Sequence, residues 1–590
     1  MADKEEIQDS KKVGGINTTE QIAERKPSPS TNSKFSRFKH WYGEHKKWTI
    51  LLTVLLLVVL VILIPWTRYK VFGLFVSQDY SIQVMDSETN TPVSGADVSM
   101  DLKTVKTDSN GKAIIKEVSV GPHSLLVHKK YYSDVMTEET VPVIKQKSAK
   151  VIKFTATGRQ AKITVKNLVS QTPVANVSIK VADVSSTTDA NGETTVVLPT
   201  GISSEKATLS LDGYNDSEVT VKVSDKIIEN NQFNLTPAGK IYFLSKLSGK
   251  IDVVKTNLDG SDRKTVLAGT GNEDEQGTVL LASRDWKYLA LLSRRAGSSS
   301  TLYLIDTSDD SLTTMDEGSA TFTLVGWVGH KFVYTVNRNN INDWKSGKEV
   351  LKSYNAENKQ ITLLDQTSGS GNGQYDYIRE TFGAEYALNN DEVVYSKNWI
   401  SAFNYANESV IANKQATFNS ILPDGSNHKL VKGFSLAPGT QSLNVGIDIK
   451  PNKPDSVYIK FEDGTKANLY EYVNSQVNPA STITEDTFYS TNYPTYLTSP
   501  SGNETFWVEP RDGKNSLFIG NQDGDGGKQI AKLSDYNNYG WYSGEYLLVS
   551  KNSSELYIMS KDGSKPAVKI TDYHKPAQSY YGYGGGYGGL

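Results

Sequence analysis

Nineteen consecutive residues, Trp48 to Trp66 (WTILLTVLLLVVLVILIPW), carry no charged side chain. Such a run limits the fold more sharply than any other feature, because it divides the chain into parts that cannot share a core. As a helix rising ~1.5 Å per residue it spans ~28 Å, close to the ~30 Å hydrocarbon core of a bilayer. A tryptophan at each end suits the interfacial belts, and Pro65 lies at the edge, where it breaks little. Lys34, Arg37, Lys39, Lys46 and Lys47 oppose only Glu44 before the run, and Arg68 and Lys70 follow it. This asymmetry predicts a transmembrane helix over 48–66 that passes through membrane lipid, with a cytoplasmic N-terminus, a plasma-membrane location and an extracytoplasmic C-terminal ectodomain. A cleaved signal peptide fits poorly, since the preceding segment is long and no small-x-small site follows. Residues 1–47 hold ten Lys/Arg and seven Asp/Glu with almost no apolar pattern. They read as a disordered tail whose basic end can lie on anionic headgroups.

Composition bounds the rest. The 590 residues are too many for one core, and the net charge of −3 gives no reason to expect nucleic acid. There is no cysteine, which removes disulfides, thiolate metal sites and cysteine nucleophiles. The seven histidines are scattered without a metal-binding spacing. Tyr, Thr, Val and Ser abound after residue 80, punctuated by Gly and Asn, a mixture that favours strands and tight turns.

After a linker (67–79) the chain repeats itself. Thr91-Pro92-Val93-Ser94-Gly95-Ala96-Asp97-Val98 returns as Thr172-Pro173-Val174-Ala175-Asn176-Val177-Ser178-Ile179, and Thr107-Asp108-Ser109-Asn110-Gly111 as Thr188-Asp189-Ala190-Asn191-Gly192. Both pairs are 81 residues apart, the mark of a duplicated unit. Apolar and polar residues alternate in short runs, and each D-x-N-G predicts a hairpin turn. These motifs resemble the carboxypeptidase regulatory-like, transthyretin-like β-sandwich over 80–157 and 158–237. The second unit keeps the family's Gly213-Tyr214, whereas the first has Lys130-Tyr131-Tyr132 there. The resemblance implies compact spacer or adhesion modules without catalytic residues.

From 238 to 573 a longer repeat follows: strand, turn, strand, loop, strand, tight turn. Clear copies start at Ser283-Arg284-Asp285-Trp286, Ser499-Pro500-Ser501-Gly502 and Glu545-Tyr546-Leu547. The pattern resembles the propeller blades of TolB and of the dipeptidyl-peptidase N-terminal region. Tight turns near Asp259-Gly260, Asp309, Glu357-Asn358, Asp424-Gly425, Ser475, Asp523-Gly524 and Asp562-Gly563 predict seven blades. The fold class expected is thus an all-β ectodomain of two sandwiches and a seven-bladed propeller on one N-terminal helix. Blade 1 offers only three strands, and Gln578 to Tyr583, in the Gly/Tyr-rich segment 574–590, is a candidate for its missing inner strand. A flexible tail is the competing reading.

Loop lengths single out one face. The a–b and c–d turns are terse, and the opposite face carries insertions at 337–348, 366–381, 397–414 and 480–494. The first three belong to adjacent blades and contain Trp344, Tyr375, Tyr377, Trp399, Phe403 and Tyr405. Exposed aromatics on long loops make binding anchors, unless they only pin their own loops. Asp343, Asp376 and Glu380 are candidate carboxylates, but nothing in the sequence pairs them. No G-x-S-x-G is present, Asn521-x-Asp523-x-Asp525-Gly526 ends on Lys532 where a calcium loop needs Glu, and Gly369-x-Gly371-x-Gly373 lacks a nucleotide-loop context. No catalytic residue, metal site or cofactor is assigned. The leading expectation is a bacterial cell-surface recognition or scaffold protein whose propeller face binds a protein or glycan. The alternative is an extracytoplasmic lyase or glycosidase acting on polysaccharide or peptide.

Overall fold

The computed structural model describes residues 46–571, apart from 64, 225, 338–348, 374–375, 389, 402–413, 436–443, 450–454, 463–466, 482–496, 512–513, 522–527, 532–535 and 552–553. Two helices open it, α1 (Lys46–Leu63) and α2 (Pro65–Phe72). Pro65 starts α2, because the first helical position needs no N–H. The first helix thus ends at Leu63, three residues short of the apolar run. Lys46 and Lys47 occupy its first turn, so its apolar part covers about 24 Å at the helical rise. Among the described residues no helix is long and apolar enough to cross a membrane.

Two β-sandwiches follow. In the first, a three-stranded sheet (Lys112–Ser119, Ser77–Asp86, Lys150–Phe154) faces a four-stranded one (Lys103–Lys106, Asp97–Met100, Gly121–His128, Val135–Val141). Burial alternates along Ser77–Asp86, and the inward side chains of both sheets, Ile82, Val84, Val98, Ile115, Leu125 and Phe154 among them, form one core. The second sandwich repeats this with Arg159–Asn167 between Glu193–Leu198 and Glu229–Leu235, over the sheet that contains Ser178–Val181 and Ser204–Ser210. In each, the first and last strands run parallel.

The duplicated motifs have a physical reason. The Thr107 hydroxyl donates to the Val93 carbonyl at 2.7 Å and accepts from the Ala96 N–H at 2.9 Å. Thr188 does the same with Val174 at 2.8 Å and Val177 at 2.9 Å. Each threonine therefore ties its T-P-V segment to the next turn. Asp108 and Asp189 then accept from the N–H groups two and four residues on. The D-x-N-G turn carries the chain from one sheet to the other, so it is not the hairpin within a sheet that its composition suggested. Gly111 sits at φ +69°, where a Cβ would collide with the Val84 carbonyl oxygen. At the position where the second unit has Gly213 (φ +83°), the first strains Tyr131 to φ +62°.

Seven antiparallel sheets make up 241–571. Shared cores link blade 1 to blades 2 and 7 through Ile241, Phe243, Leu289, Leu291, Leu548 and Ile558. Others link blade 2 to 3, 3 to 4, 4 to 5, and 6 to 7. Blade 7 thus packs against blade 1 and the sheets form a propeller ring. Blade 1 has three strands among the described residues (Ile241–Ser245, Asp252–Thr256, Lys264–Leu267) and lacks the inner one. Trp286 of blade 2 reaches across that gap, donating its indole N–H to the Trp541 carbonyl of blade 7 at 3.1 Å. Gln578 to Tyr583 lie outside the described residues.

The second sandwich docks on the terse face. Thr236 donates to Asp259, in the c–d turn of blade 1, at 2.8 Å. Asn167 donates to the Tyr546 hydroxyl of blade 7 at 2.8 Å, and Gly239 lies so close to the Tyr542 hydroxyl that a Cβ there would collide with it. The loop-bearing face is therefore on the side away from the sandwiches.

Candidate functional site

The loop-bearing face is most elaborate at blade 4, which has five strands instead of four. Within 366–381, expected as a loop, the described residues include two paired strands. Gly369–Gly373 pairs with the start of Asp376–Ala387, Gly369 opposite Arg379 and Gly371 opposite Tyr377. Glycine suits this strand because a Cβ at 369 would lie 2.7 Å from that of Arg379. Val393–Ser401 also overshoots the blade. Among the described residues it pairs beyond Lys397 only with 378–381. Together these segments build a three-stranded ledge above the ring.

The sequence-nominated residues fall unevenly. Tyr377 lies on the ledge strand Asp376–Ala387 and Trp399 on Val393–Ser401, not on loops. The Trp399 indole donates to the Gln415 carbonyl at 3.1 Å, and the Lys414 ammonium sits 4.6 Å from the ring centroid. Half-buried against the core between blades 4 and 5, it fastens the two ends of the 402–413 segment together. Trp344, Tyr375, Phe403 and Tyr405 lie outside the described residues, as do Asp343 and the segment 482–496. Glu380 accepts from the Ser368 N–H at 2.8 Å and hydroxyl at 2.5 Å, and Lys397 stands 3.7 Å away. Lys397 also pairs with Asp365 at 3.2 Å. Glu380 is thus part of the ledge's own bracing.

Below the ledge the structure couples two carboxylates that the sequence did not nominate. Glu349 accepts from Asn337 at 2.9 Å and from the Phe382 N–H at 2.6 Å. Glu385, on the inner strand of blade 4, accepts from the Thr335 hydroxyl of blade 3 at 3.1 Å. Both are buried. Burial pushes Glu385 up to about 8, against the Thr335 bond and with help from the Glu349 charge. Burial also raises Glu349, opposed by the Phe382 N–H and by Arg379. At neutral pH one proton is therefore retained in the wall between blades 3 and 4. A signal existed: Glu385 interrupts an apolar stretch, Phe382 to Leu388, where every neighbour builds core. Buried this deeply, the pair braces the base of the ledge and does not open to a substrate.

A second charged clasp lies on the opposite, terse face. His330 bridges Glu357 at 2.7 Å and Asp285 at 2.9 Å. Burial pulls its pKa down, but the two carboxylate bonds outweigh that and hold it above its ordinary value. Among the described residues no group of three or more His, Cys, Asp and Glu could hold a metal ion.

No protein family and no curated protein matches this chain. Solved structures similar to it include TolB from Acinetobacter baumannii, at 11% identity and a TM-score of 0.29 over 63% of this chain and 77% of that one. The β-propeller domain of the Trilobed protease from Pyrococcus furiosus gives 12% and 0.31 over 64% and 97%. An oligogalacturonate lyase in complex with manganese gives 12% and 0.28 over 56% and 84%. At such scores these likenesses carry no argument about function. On its own sheets and cores, the chain is a tandem pair of β-sandwiches carrying a β-propeller.

Proposed function

We propose that this chain is a membrane-anchored cell-surface recognition or scaffold protein, and that its ledge-bearing propeller face binds a protein or glycan. The observation that carries the reading is the docking of the second sandwich on the terse face through Asp259, Tyr542 and Tyr546. That leaves the face with the long insertions unobstructed by the stalk. The anchor reading is supported by α1, whose side chains from Trp48 to Val59 are uncharged, apolar except for Thr49 and Thr53, and mostly exposed. The first turn of α2 would supply the length that α1 lacks. The full chain in lipid nanodiscs, screened on glycan and surface-protein arrays, tests the proposal. Binding that Trp344→Ala abolishes without a change in melting temperature is the expected result. No ligand on either array, or binding indifferent to Trp344 and to the 402–413 segment, would overturn it.

The enzyme alternative rests on the Glu349–Glu385 pair. A glycosidase needs two carboxyl groups open to the sugar, and these two are buried. Product release from a polysaccharide panel that disappears in Glu385→Gln would favour that reading over binding.

A further inference from the structure

The first sandwich has two distinct ends. One meets the second sandwich, where the Ser94 and Ser186 hydroxyls lie 2.7 Å apart. The other meets α2. Tyr69, Phe72 and Val76 join the sandwich core, the Val120 N–H donates to the Val76 carbonyl at 3.1 Å, and a Cβ on Gly73 would lie 2.7 Å from the Val120 carbonyl oxygen. Helix and sandwich are therefore one packed unit, and α1 leads directly into it.

At this α2 end four large apolar side chains project into solvent: Leu74 is 78% exposed, Phe75 84%, Leu102 101% and Ile144 80%. They come from three separate segments. Leu102 occupies the turn between Asp97–Met100 and Lys103–Lys106, next to Asp101, which holds His123 at 2.7 Å. Ile144 follows Val143, whose carbonyl accepts from Gln78 at 3.3 Å. The register brings these segments to one end, with Ser77 opposite Ser119 and Gly121 opposite Val141. Exposed lysines accompany the tips: Lys145 and Lys147, and also Lys103, whose ammonium donates to the Lys116 and Glu117 carbonyls at 2.9 and 2.8 Å. Of the acids there, Asp101 holds His123 and Asp79 accepts from the Glu117 N–H, while the Glu117 carboxylate is exposed.

Tight turns are ordinarily polar, and four apolar tips at one end leave an exposed patch that asks for a partner. Apolar tips flanked by lysine match the boundary between headgroups and acyl chains, where the tips enter and the Lys145 and Lys147 ammonium groups meet phosphate. The partner is fixed by continuity, since the apolar helix α1 emerges from this same end. We propose that the α2 end of the first sandwich seats directly on the phospholipid surface, inserting Leu74, Phe75, Leu102 and Ile144 at headgroup depth. This rests on the reading of α1 as a membrane anchor. It implies that the stalk stands on the bilayer without a flexible spacer.

The chain has no cysteine, so single-cysteine variants of the full chain can be labelled at one site with an environment-sensitive fluorophore. The variants are Val58→Cys in α1, Leu102→Cys and Ile144→Cys at the tips, and Ile227→Cys as an exposed site on the second sandwich. Each is reconstituted into phosphatidylcholine–phosphatidylglycerol vesicles carrying nitroxide lipids. The labels at 102 and 144 are expected to shift to the blue and to be quenched by headgroup-depth nitroxide, while the label at 227 is not. Quenching at 58 with labels at 102 and 144 behaving like 227 would overturn the seating and leave the anchor standing. No quenching at 58 would overturn the anchor reading and the seating with it.

Discussion

His330 and Glu385 make opposite uses of burial, and both make the fold weaken as pH rises. His330 gains two carboxylate partners, so its folded pKa lies above the unfolded value of ~6.5. Its contribution is complete below that value and disappears as pH climbs through the folded one. Replacing it, as in His330→Gln, is expected to cost about 1 kcal/mol at pH 6 and little at pH 9, measured by urea unfolding. Glu385 is held neutral, with a folded pKa of about 8 against ~4.3 unfolded. Here the folded state binds the extra proton, so stability declines from near pH 4.3 up to about 8. Glu385→Gln keeps a partner for Thr335 and removes that decline. It is expected to match the parent near pH 4 and to exceed it at pH 9 by on the order of 5 kcal/mol. An unchanged slope would show that the carboxyl ionises freely. In the sandwiches, Thr188→Val leaves the Val177 N–H without its partner and is expected to cost roughly 2 kcal/mol by the same assay.

Among elements, the blade 4 ledge shows where sequence reading succeeds and where it stops. The all-β class and the propeller were legible because strand, turn and strand recur, with Asp-Gly at the tight turns where Gly260, Gly425 and Gly563 take positive φ. Residues 366–381 were not legible as strands. Their Gly-x-Gly-x-Gly spacing has the composition of a loop, and only the cross-strand partners Arg379 and Tyr377 make it an edge. Trp399 was nominated as a loop aromatic for the same reason, since nothing local reveals that its strand overshoots the blade. The anchoring of the ledge can be tested at Gly383. A Cβ there would fall 2.7 Å from the Asn398 amide nitrogen and would also collide with the Ser396 hydroxyl. Those two side chains hold the Val445 backbone of blade 5, at 3.4 and 3.0 Å. Gly383→Ala is expected to lower stability by 1–3 kcal/mol, in the range of ~1–3 for overpacking. It should also raise hydrogen exchange across 376–401 while leaving the sandwiches unchanged.

For the whole molecule, blade 1 stands apart, with three strands among the described residues. Trp286 bridges blades 2 and 7 beside blade 1, which lacks an inner strand among the described residues, whereas Trp327 makes a like bond, 3.0 Å to the Leu281 carbonyl, between the four-stranded blades 3 and 2. Trp286→Phe should therefore destabilise the ring more than Trp327→Phe, although each loses one indole bond of ~1–2 kcal/mol. Equal costs would mean that the bridge closes nothing. Truncation after Thr571 asks the companion question: a large loss of ring stability is expected if the chain's own last residues supply the absent strand, and a silent truncation would rule them out. The sandwiches below carry a different consequence. In each, the first strand lies beside the last and runs the same way, Ile82 to Asp86 along Lys150 to Phe154 and Ala161 to Asn167 along Glu229 to Leu235. The chain enters at the start of one strand and leaves at the end of the other. Tension applied between the two ends of a sandwich therefore slides the two strands past each other and loads every ladder bond at once, where an antiparallel hairpin would unzip one bond at a time. The chain has no cysteine, so resistance to such a pull rests on these ladders and the cores beside them, with no disulfide to share it.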